Sequence, residues 1–125
     1  MILVDTAVWI DHLRDGDARL AELLERGVVL AHPWITGELA LGQLRGRAEI
    51  LRLLSALPQA AVATPAELLG HIEHHELSGT GIGYVDVQLL AATMLTDDAT
   101  LWTRDRRLHT AAHRLDVAYA PPPAD

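Results

Sequence analysis

Two acidic residues lie at or just beyond the carboxyl ends of short apolar segments. Asp5 follows residues 1–4 directly, and Asp105 follows residues 100–103 after one intervening arginine. Apolar runs of this length, rich in branched side chains, indicate buried strands. Because ligands of open α/β folds bind at the carboxyl ends of the strands, both acids are candidates for a functional site. The alternative for each is a helix N-cap, a position that aspartate also favours.

Two further acids interrupt the apolar faces of predicted helices. Glu38 shares a face with Ile35 and Leu39, and Asp86 lies three residues before Leu89 on another apolar stripe. We therefore expect both carboxylates to point inward. An unpaired carboxylate in such a place is costly, or becomes protonated, unless a cation lies against it. The chain has no lysine, so a bound metal ion is an attractive partner.

These four acids are predicted to meet at one edge of a sheet. Asp5 and Asp105 leave parallel strands at that edge, and Glu38 and Asp86 are expected near the amino ends of helices that reach it. A pocket of four carboxylates without histidine or cysteine offers only oxygen ligands. Such a pocket suits Mg²⁺ or Mn²⁺ better than Zn²⁺.

The elements that must position these acids alternate between strand-like and helix-like segments. This order predicts an α/β fold with a central parallel sheet of about five strands and helices on both faces. The predicted strands are residues 1–4, 28–31, 60–63, 100–103 and 117–119. The predicted helices are residues 7–13, 18–25, 33–44, 48–57, 66–76, 84–95 and 105–113. We expect one domain over residues 1–120 and a disordered, proline-rich tail at residues 121–125.

Composition narrows the class of protein. The 125 residues are 50% hydrophobic and contain no cysteine, which predicts one compact soluble domain and excludes disulfides and thiolate metal sites. No basic region precedes the first apolar run, and that run is too short for a signal peptide or a membrane span. A cytoplasmic protein without a membrane partner is therefore expected.

The charge of the chain argues against nucleic-acid binding at first sight. The net charge is −7, whereas proteins that contact phosphates are usually basic. All ten basic residues are arginine, however, and seven of them form two groups. Arginine pairs bidentately with phosphate, so these groups could hold RNA. The alternative is that they are solvated helix faces. The groups are residues 45, 47 and 52, and residues 104, 106, 107 and 114.

Four segments, taken together and in order, resemble the successive motifs of PIN-domain proteins, and in particular the VapC toxins of bacterial toxin–antitoxin pairs. The resemblance runs from residue 1 to about residue 119. Family members often carry serine where this chain has Ala7, which puts a supporting role for that position in doubt. The segments are ILVDTAVWI at residues 2–10, GEL at 37–39, GYVDVQLLAA at 83–92 and LWTRD at 101–105.

The resemblance implies a site and a reaction. It implies that four acids bind divalent metal, Mg²⁺ or Mn²⁺, and that Thr6 and Thr103 support the site by hydrogen bonds. The implied reaction is hydrolysis of RNA by metal-activated water, which leaves a 5′-phosphate and a 3′-hydroxyl and inhibits translation and growth. Arg104, Arg106 and Arg107 are the candidates for gripping the RNA backbone. The implied metal-binding and catalytic acids are Asp5, Glu38, Asp86 and Asp105.

The resemblance also implies a homodimer and a VapB-like antitoxin, whose C-terminal segment presents a basic residue to the carboxylates. The alternative is a catalytically degenerate PIN domain that serves as a binding scaffold. Two other α/β classes fit the residues poorly. A receiver-type phosphoacceptor needs a lysine, which this chain lacks, and the phosphatases with Asp-x-Asp after the first strand are excluded because Ala7 follows Thr6.

Overall fold

The centre of the fold is a three-stranded parallel sheet. The computed structural model describes residues 1–121, so the predicted tail lies, apart from residue 121, outside the described residues. The strands are β1 Ile2–Val4, β2 Val29–Leu30 and β3 Thr100–Trp102, in the order β2-β1-β3. β1 therefore lies in the middle, where Leu3 pairs with Leu30 on one side and with Leu101 on the other.

Helices cover both faces of this sheet. All three residues of β1 are buried, and because alternate strand residues point to opposite faces, neither face is open to solvent. The α/β class with a parallel sheet between helices is confirmed. The helices in the described residues are α1 Thr6–Asp15, α2 Ala18–Glu25, α3 Pro33–Ala40, α4 Arg47–Ala56, α5 Pro65–His74, α6 Tyr84–Leu95 and α7 Arg106–Arg114.

The predicted fourth and fifth strands are reduced to single bridges. Ala31 bridges in parallel to Gln59, and Leu101 bridges in parallel to Ala118. Residues 60–63 do not continue as a strand because a side chain takes over the pairing. The buried amide of Gln88 in α6 accepts from the Ala63 N–H at 2.8 Å and donates to the Ala63 carbonyl at 3.0 Å. Three regular strands are therefore present where about five were predicted, and the other two segments follow the expected course as single parallel bridges.

Three helices begin at an aspartate, and two of these aspartates follow strands at the carboxyl edge of the sheet. Asp5 caps α1, Asp17 caps α2 and Asp105 caps α7, each by accepting a hydrogen bond from a backbone N–H in the first turn. The N-cap interpretation of Asp5 and Asp105 is thus confirmed. It does not exclude a second role, because a carboxylate has a second oxygen and further lone pairs.

α6 is the most deeply buried helix. Its residues from Val87 to Thr93 are all buried, so this part of the helix is covered on every side. α5 and β3 pack against it. A helix of this kind belongs inside a layer rather than on the surface, which fixes the place of Asp86 in its first turn. In residues 1–121 no helix is long and apolar enough to cross a membrane.

Candidate active site

Asp5 stands at the carboxyl end of the central strand, and its two oxygens have different partners. Its backbone N–H donates to the Trp102 carbonyl of β3 at 2.9 Å, which continues the sheet pairing by one residue. Oδ1 accepts from the Thr6 N–H at 2.7 Å, and Oδ2 accepts from the Thr103 hydroxyl at 2.7 Å. The carboxylate is partly buried. It is therefore held by groups from two neighbouring strand ends.

Thr103 joins Asp5 to Asp105. The side chain of Thr103 is buried, with 7% of its surface exposed. While its hydroxyl donates to Asp5, the same oxygen accepts from the Asp105 N–H at 3.1 Å. Asp105 is itself exposed, and its Oδ1 accepts from the Leu108 N–H at 2.9 Å. One hydroxyl thus sets the relative position of two of the predicted acids.

Glu38 reaches the same edge through Thr6. The Thr6 hydroxyl donates to Glu38 Oε1 at 2.9 Å. Contrary to the expectation from the helix pattern, Glu38 is exposed, and it lies in the last turn of α3 instead of near its amino end. The buried stripe of this short helix is narrow and consists of Ile35 and Leu39, so the intervening Glu38 falls on its flank. The predicted inward orientation of Glu38 was wrong, whereas its contact places it beside Asp5.

Asp86 is the acid whose charge is least well accommodated. It is partly buried, and its Oδ2 accepts a hydrogen bond from the Gly83 N–H at 3.2 Å. Burial raises the pKa of its carboxyl above the usual value, and the charges of Asp5, Asp105 and Glu38 raise it further. The Gly83 hydrogen bond opposes that rise. All three other carboxylates are thus close enough to act on the Asp86 pKa.

The donor chemistry of these residues fits a hard divalent cation. Within residues 1–121, Glu38 Oε2, Asp86 Oδ1 and Asp105 Oδ2 accept no hydrogen bond from the protein. In the same part of the chain, no three His, Asp or Glu side chains are arranged so that they could hold an ion together as they stand. The acids form a loose cluster and not a closed cage. Mg²⁺ tolerates this arrangement, because it keeps several waters and takes only one or two carboxylates from the protein.

The three arginines of the Asp105 segment differ in their surroundings. Arg104 forms ion pairs with Asp11 and Asp17, the latter at 2.9 Å. The Arg107 guanidinium lies against the backbone of Gly81, and the side chain of Arg106 has no hydrogen bond within residues 1–121. Nothing in the sequence indicated the acidic partners of Arg104, because Asp11 and Asp17 lie far from it along the chain.

The glycine three residues before Asp86 was also missed as a contact. Gly83 is the N-cap residue of α6, and its N–H meets the Asp86 carboxylate. The signal was present in the sequence, since an acid at the third helical position commonly accepts from the N-cap N–H. Asp86 therefore gains a fixed side-chain orientation from local structure alone.

Comparisons with known proteins agree with this architecture. Residues 2–114 match the PIN domain family. Ribonuclease VapC32 of Mycobacterium tuberculosis is 48% identical to the chain over 120 residues, in both strain CDC 1551 / Oshkosh and strain ATCC 25618 / H37Rv. The aligned region covers 96% of this chain and 97% of each relative. Together with the parallel sheet and the acids at its carboxyl edge, the match over residues 2–114 establishes that the chain belongs to the PIN-domain family.

Proposed function

We propose that the chain is a divalent-metal-dependent endoribonuclease and the toxin of a type II toxin–antitoxin pair. The 48% identity to Ribonuclease VapC32 supports the ribonuclease activity and the toxin class. The observation that carries the proposal is the clustering of four carboxylates at the sheet edge, where Thr103 joins Asp5 to Asp105 and Thr6 joins Glu38 to the first turn of α1. The cluster raises the pKa of Asp86 in addition to the effect of burial. Clustered carboxylates repel one another unless a cation compensates their negative charge, and a perturbed pKa of this kind is typical of a functional site.

We propose that Asp5, Glu38, Asp86 and Asp105 hold Mg²⁺ or Mn²⁺ through the carboxylate oxygens that they direct to the sheet edge. When bound, a divalent ion supplies a water of lowered pKa and stabilises negative charge on the scissile phosphate. The residues of the chain supply position. Thr103 holds Asp5 and the backbone of Asp105 together, and Thr6 ties Glu38 to the first turn of α1.

No side-chain nucleophile is required by this proposal. Burial and three neighbouring carboxylates raise the pKa of Asp86, so its carboxyl binds a proton more readily than usual. A cation therefore competes with a proton at Asp86. We accordingly expect metal affinity to fall as the pH is lowered.

The activity is tested by incubating purified protein with total cellular RNA in Mg²⁺ or Mn²⁺ and sequencing the new 5′ ends. We expect cleavage that leaves a 5′-phosphate and that is lost in Asp5→Asn and in Asp86→Asn. Induction of either variant is expected to leave growth unimpaired. The control is Asp97→Asn, which removes the same charge at an exposed position before β3. Cleavage or growth inhibition that persists in Asp5→Asn would count against the assignment.

The competing proposal is a PIN domain that binds without cleaving. It predicts the same fold but no specific metal binding. Calorimetric titration of the metal-free protein with Mn²⁺ separates the two, because the nuclease requires saturable binding that Asp5→Asn weakens. Absence of binding in wild-type protein would favour the scaffold.

We propose a VapB-like antitoxin as the protein partner. A cavity of about 470 Å³ begins at Glu38 and continues between α1 and α4, with Leu13, Leu39 and Ile50 in its lining. An extended or helical segment could bury apolar side chains there and place a basic side chain against the acids. Co-expression with the cognate antitoxin is expected to block Mn²⁺ binding, and an unchanged titration in the purified complex would contradict this mode of inhibition.

We also propose that the chain forms a homodimer in the cytoplasm, where its RNA substrate is found. Several large apolar side chains near α5 and α6 are exposed, which supports a self-association surface. They are Val62, Leu69, Tyr84 and Val85. Light scattering after gel filtration is expected to give twice the mass of 13.6 kDa. A monomeric mass that does not change with concentration would contradict the dimer.

A further inference from the structure

Arg104 fastens the corner between α1 and α2 to the turn that follows β3. Its two terminal nitrogens meet different acids, Nη1 on Asp11 of α1 and Nη2 on Asp17 at 2.9 Å. The other oxygen of Asp17 accepts from the Leu20 N–H at 2.9 Å and so caps α2. A planar guanidinium suits such two-point contact better than an ammonium group does. Arg104 lies between Thr103 and Asp105 in the sequence, and its side chain therefore links this segment to the start of α2.

Arg107 fastens the glycine loop at residues 78–83, on the other side of Asp105. A Cβ added to Gly81 would lie 2.8 Å from Arg107 Nη1 and 3.1 Å from its Cδ and Cζ. The φ angle of Gly81 is +86°, a conformation that favours glycine, and the Arg107 side chain packs closely against this residue. Gly83, two residues further on, donates its N–H to Asp86. Arg107 Nη1 also lies 3.5 Å from the Gly81 carbonyl oxygen, so the arginine side chain rests on the segment that leads to Gly83.

Arg106, between these two, has a different environment. It is exposed, and its side chain has no hydrogen bond or ion pair within residues 1–121. It is also the first residue of α7, where a cation is disfavoured by the helix dipole. Among the three arginines, Arg106 is therefore the one whose guanidinium the described residues leave available to an anionic ligand.

We propose that Arg104 and Arg107 are positioning residues, which hold the segments on either side of Asp105 in place, and that Arg106 contacts the RNA phosphate. The contacts that Arg104 and Arg107 make with the protein are called the clamp. The clamp acts through contacts of the protein with itself and needs no ligand. Its effect on metal binding, and the phosphate contact of Arg106, rest on the proposed nuclease function.

The clamp is tested by amide hydrogen exchange on the metal-free protein, comparing Arg104→Gln, Arg106→Gln and Arg107→Gln. These variants lose the same charge within one turn, so each is a control for the others. We expect the Gly83 amide to exchange about threefold faster or more in Arg107→Gln, and the Leu20 amide in Arg104→Gln. Arg107→Lys is expected to behave like Arg107→Gln, because the ammonium cannot lie flat on Gly81. Equal exchange in all three glutamine variants would overturn the clamp.

The division of roles is tested by two titrations. Mn²⁺ affinity is expected to weaken about threefold or more in Arg104→Gln and Arg107→Gln and to stay unchanged in Arg106→Gln, since supporting contacts typically tune metal affinity. For a labelled single-stranded RNA in EDTA, we measure the slope of the logarithm of the binding constant against the logarithm of the salt concentration. We expect this slope to become shallower by about 0.7 in Arg106→Gln alone. Equal loss of slope in all three variants would overturn the assignment. If no form binds Mn²⁺ while the exchange pattern holds, the clamp stands and the nuclease proposal fails.

Discussion

Replacing Asp86 by asparagine is expected to change the stability of the protein in opposite directions with and without metal. Without metal, the charged form of Asp86 is disfavoured by burial and by three neighbouring carboxylates, which raise its pKa. The folded chain therefore holds a proton on Asp86 more readily than the unfolded chain does. Its contribution to the free energy of unfolding falls as the pH rises above 3.8 towards the folded pKa, and at pH 7 it is unfavourable.

Asparagine removes this unfavourable charge and keeps the local hydrogen bond. Its side-chain oxygen can still accept from the Gly83 N–H, as Asp86 Oδ2 does at 3.2 Å. Single substitutions that improve the charge balance of a protein commonly contribute about 0.5–2 kcal/mol. We expect a gain of about 1 kcal/mol in EDTA, which is an increase in Tm of about 4 °C for a domain of this size.

In the presence of metal, the wild type is expected to be more stable than Asp86→Asn. At a Mn²⁺ concentration of about 100 times the Kd, binding stabilises the wild type by about 2.7 kcal/mol, and this exceeds the gain from asparagine. Differential scanning calorimetry of wild type and Asp86→Asn, in EDTA and in Mn²⁺, is expected to show the crossover. Asp97→Asn should follow the wild type in both conditions. An Asp86→Asn variant that is less stable than wild type in EDTA would refute the electrostatic reasoning.

Three other changes are expected to separate site chemistry from folding. Thr103→Val should weaken Mn²⁺ binding about tenfold in calorimetric titration, because Asp5 loses its hydroxyl partner, and Thr103→Ser should restore it. Gln88→Leu should lower the free energy of unfolding, measured in urea, by about 3 kcal/mol, since the Ala63 backbone loses both buried hydrogen bonds. A decrease no larger than that caused by replacing an exposed glutamine with leucine would contradict this. Burial lowers the pKa of His32, so only the unfolded chain gains its proton as the pH falls below 6.5. Stability should then fall by up to about 1.4 kcal/mol per pH unit, and urea titrations of His32→Asn should show a flatter profile.

The sequence pattern predicted a helix well where the signals for that helix lie within its own segment. α2 and α6 begin and end at the predicted residues, because the signals lie in or beside each segment. α2 has an apolar stripe and an aspartate cap, and α6 is a strongly apolar run that follows a glycine-rich loop. α3 is shorter than predicted and ends at Ala40, so Glu38 falls in its last turn. The error in α3 changed the expected orientation of a site residue but not its place at the sheet edge.

Strand pairing was predicted less well because it depends on partners elsewhere in the chain. Residues 60–63 have the composition of a strand, yet the amide side chain of Gln88 satisfies the Ala63 backbone in place of a neighbouring strand. Nothing in the segment itself reveals that substitution, since Gln88 lies 25 residues away on a helix.

The sequence alone indicated which carboxylates could meet a cation and that two of them follow strands, although it placed Glu38 at the wrong end of α3. Asp5 and Asp105 follow apolar strands, and carboxylate oxygens suit Mg²⁺ or Mn²⁺ whatever the detailed packing. Only the tertiary structure decided which side chain supports which acid, because those contacts join residues up to 98 positions apart, as in the bond from Thr103 to Asp5. It also decided that Arg104 and Arg107 are engaged by the protein while Arg106 is not. The three arginines lie within four residues of one another, and the sequence does not distinguish them. They differ in the groups that the folded chain places beside them.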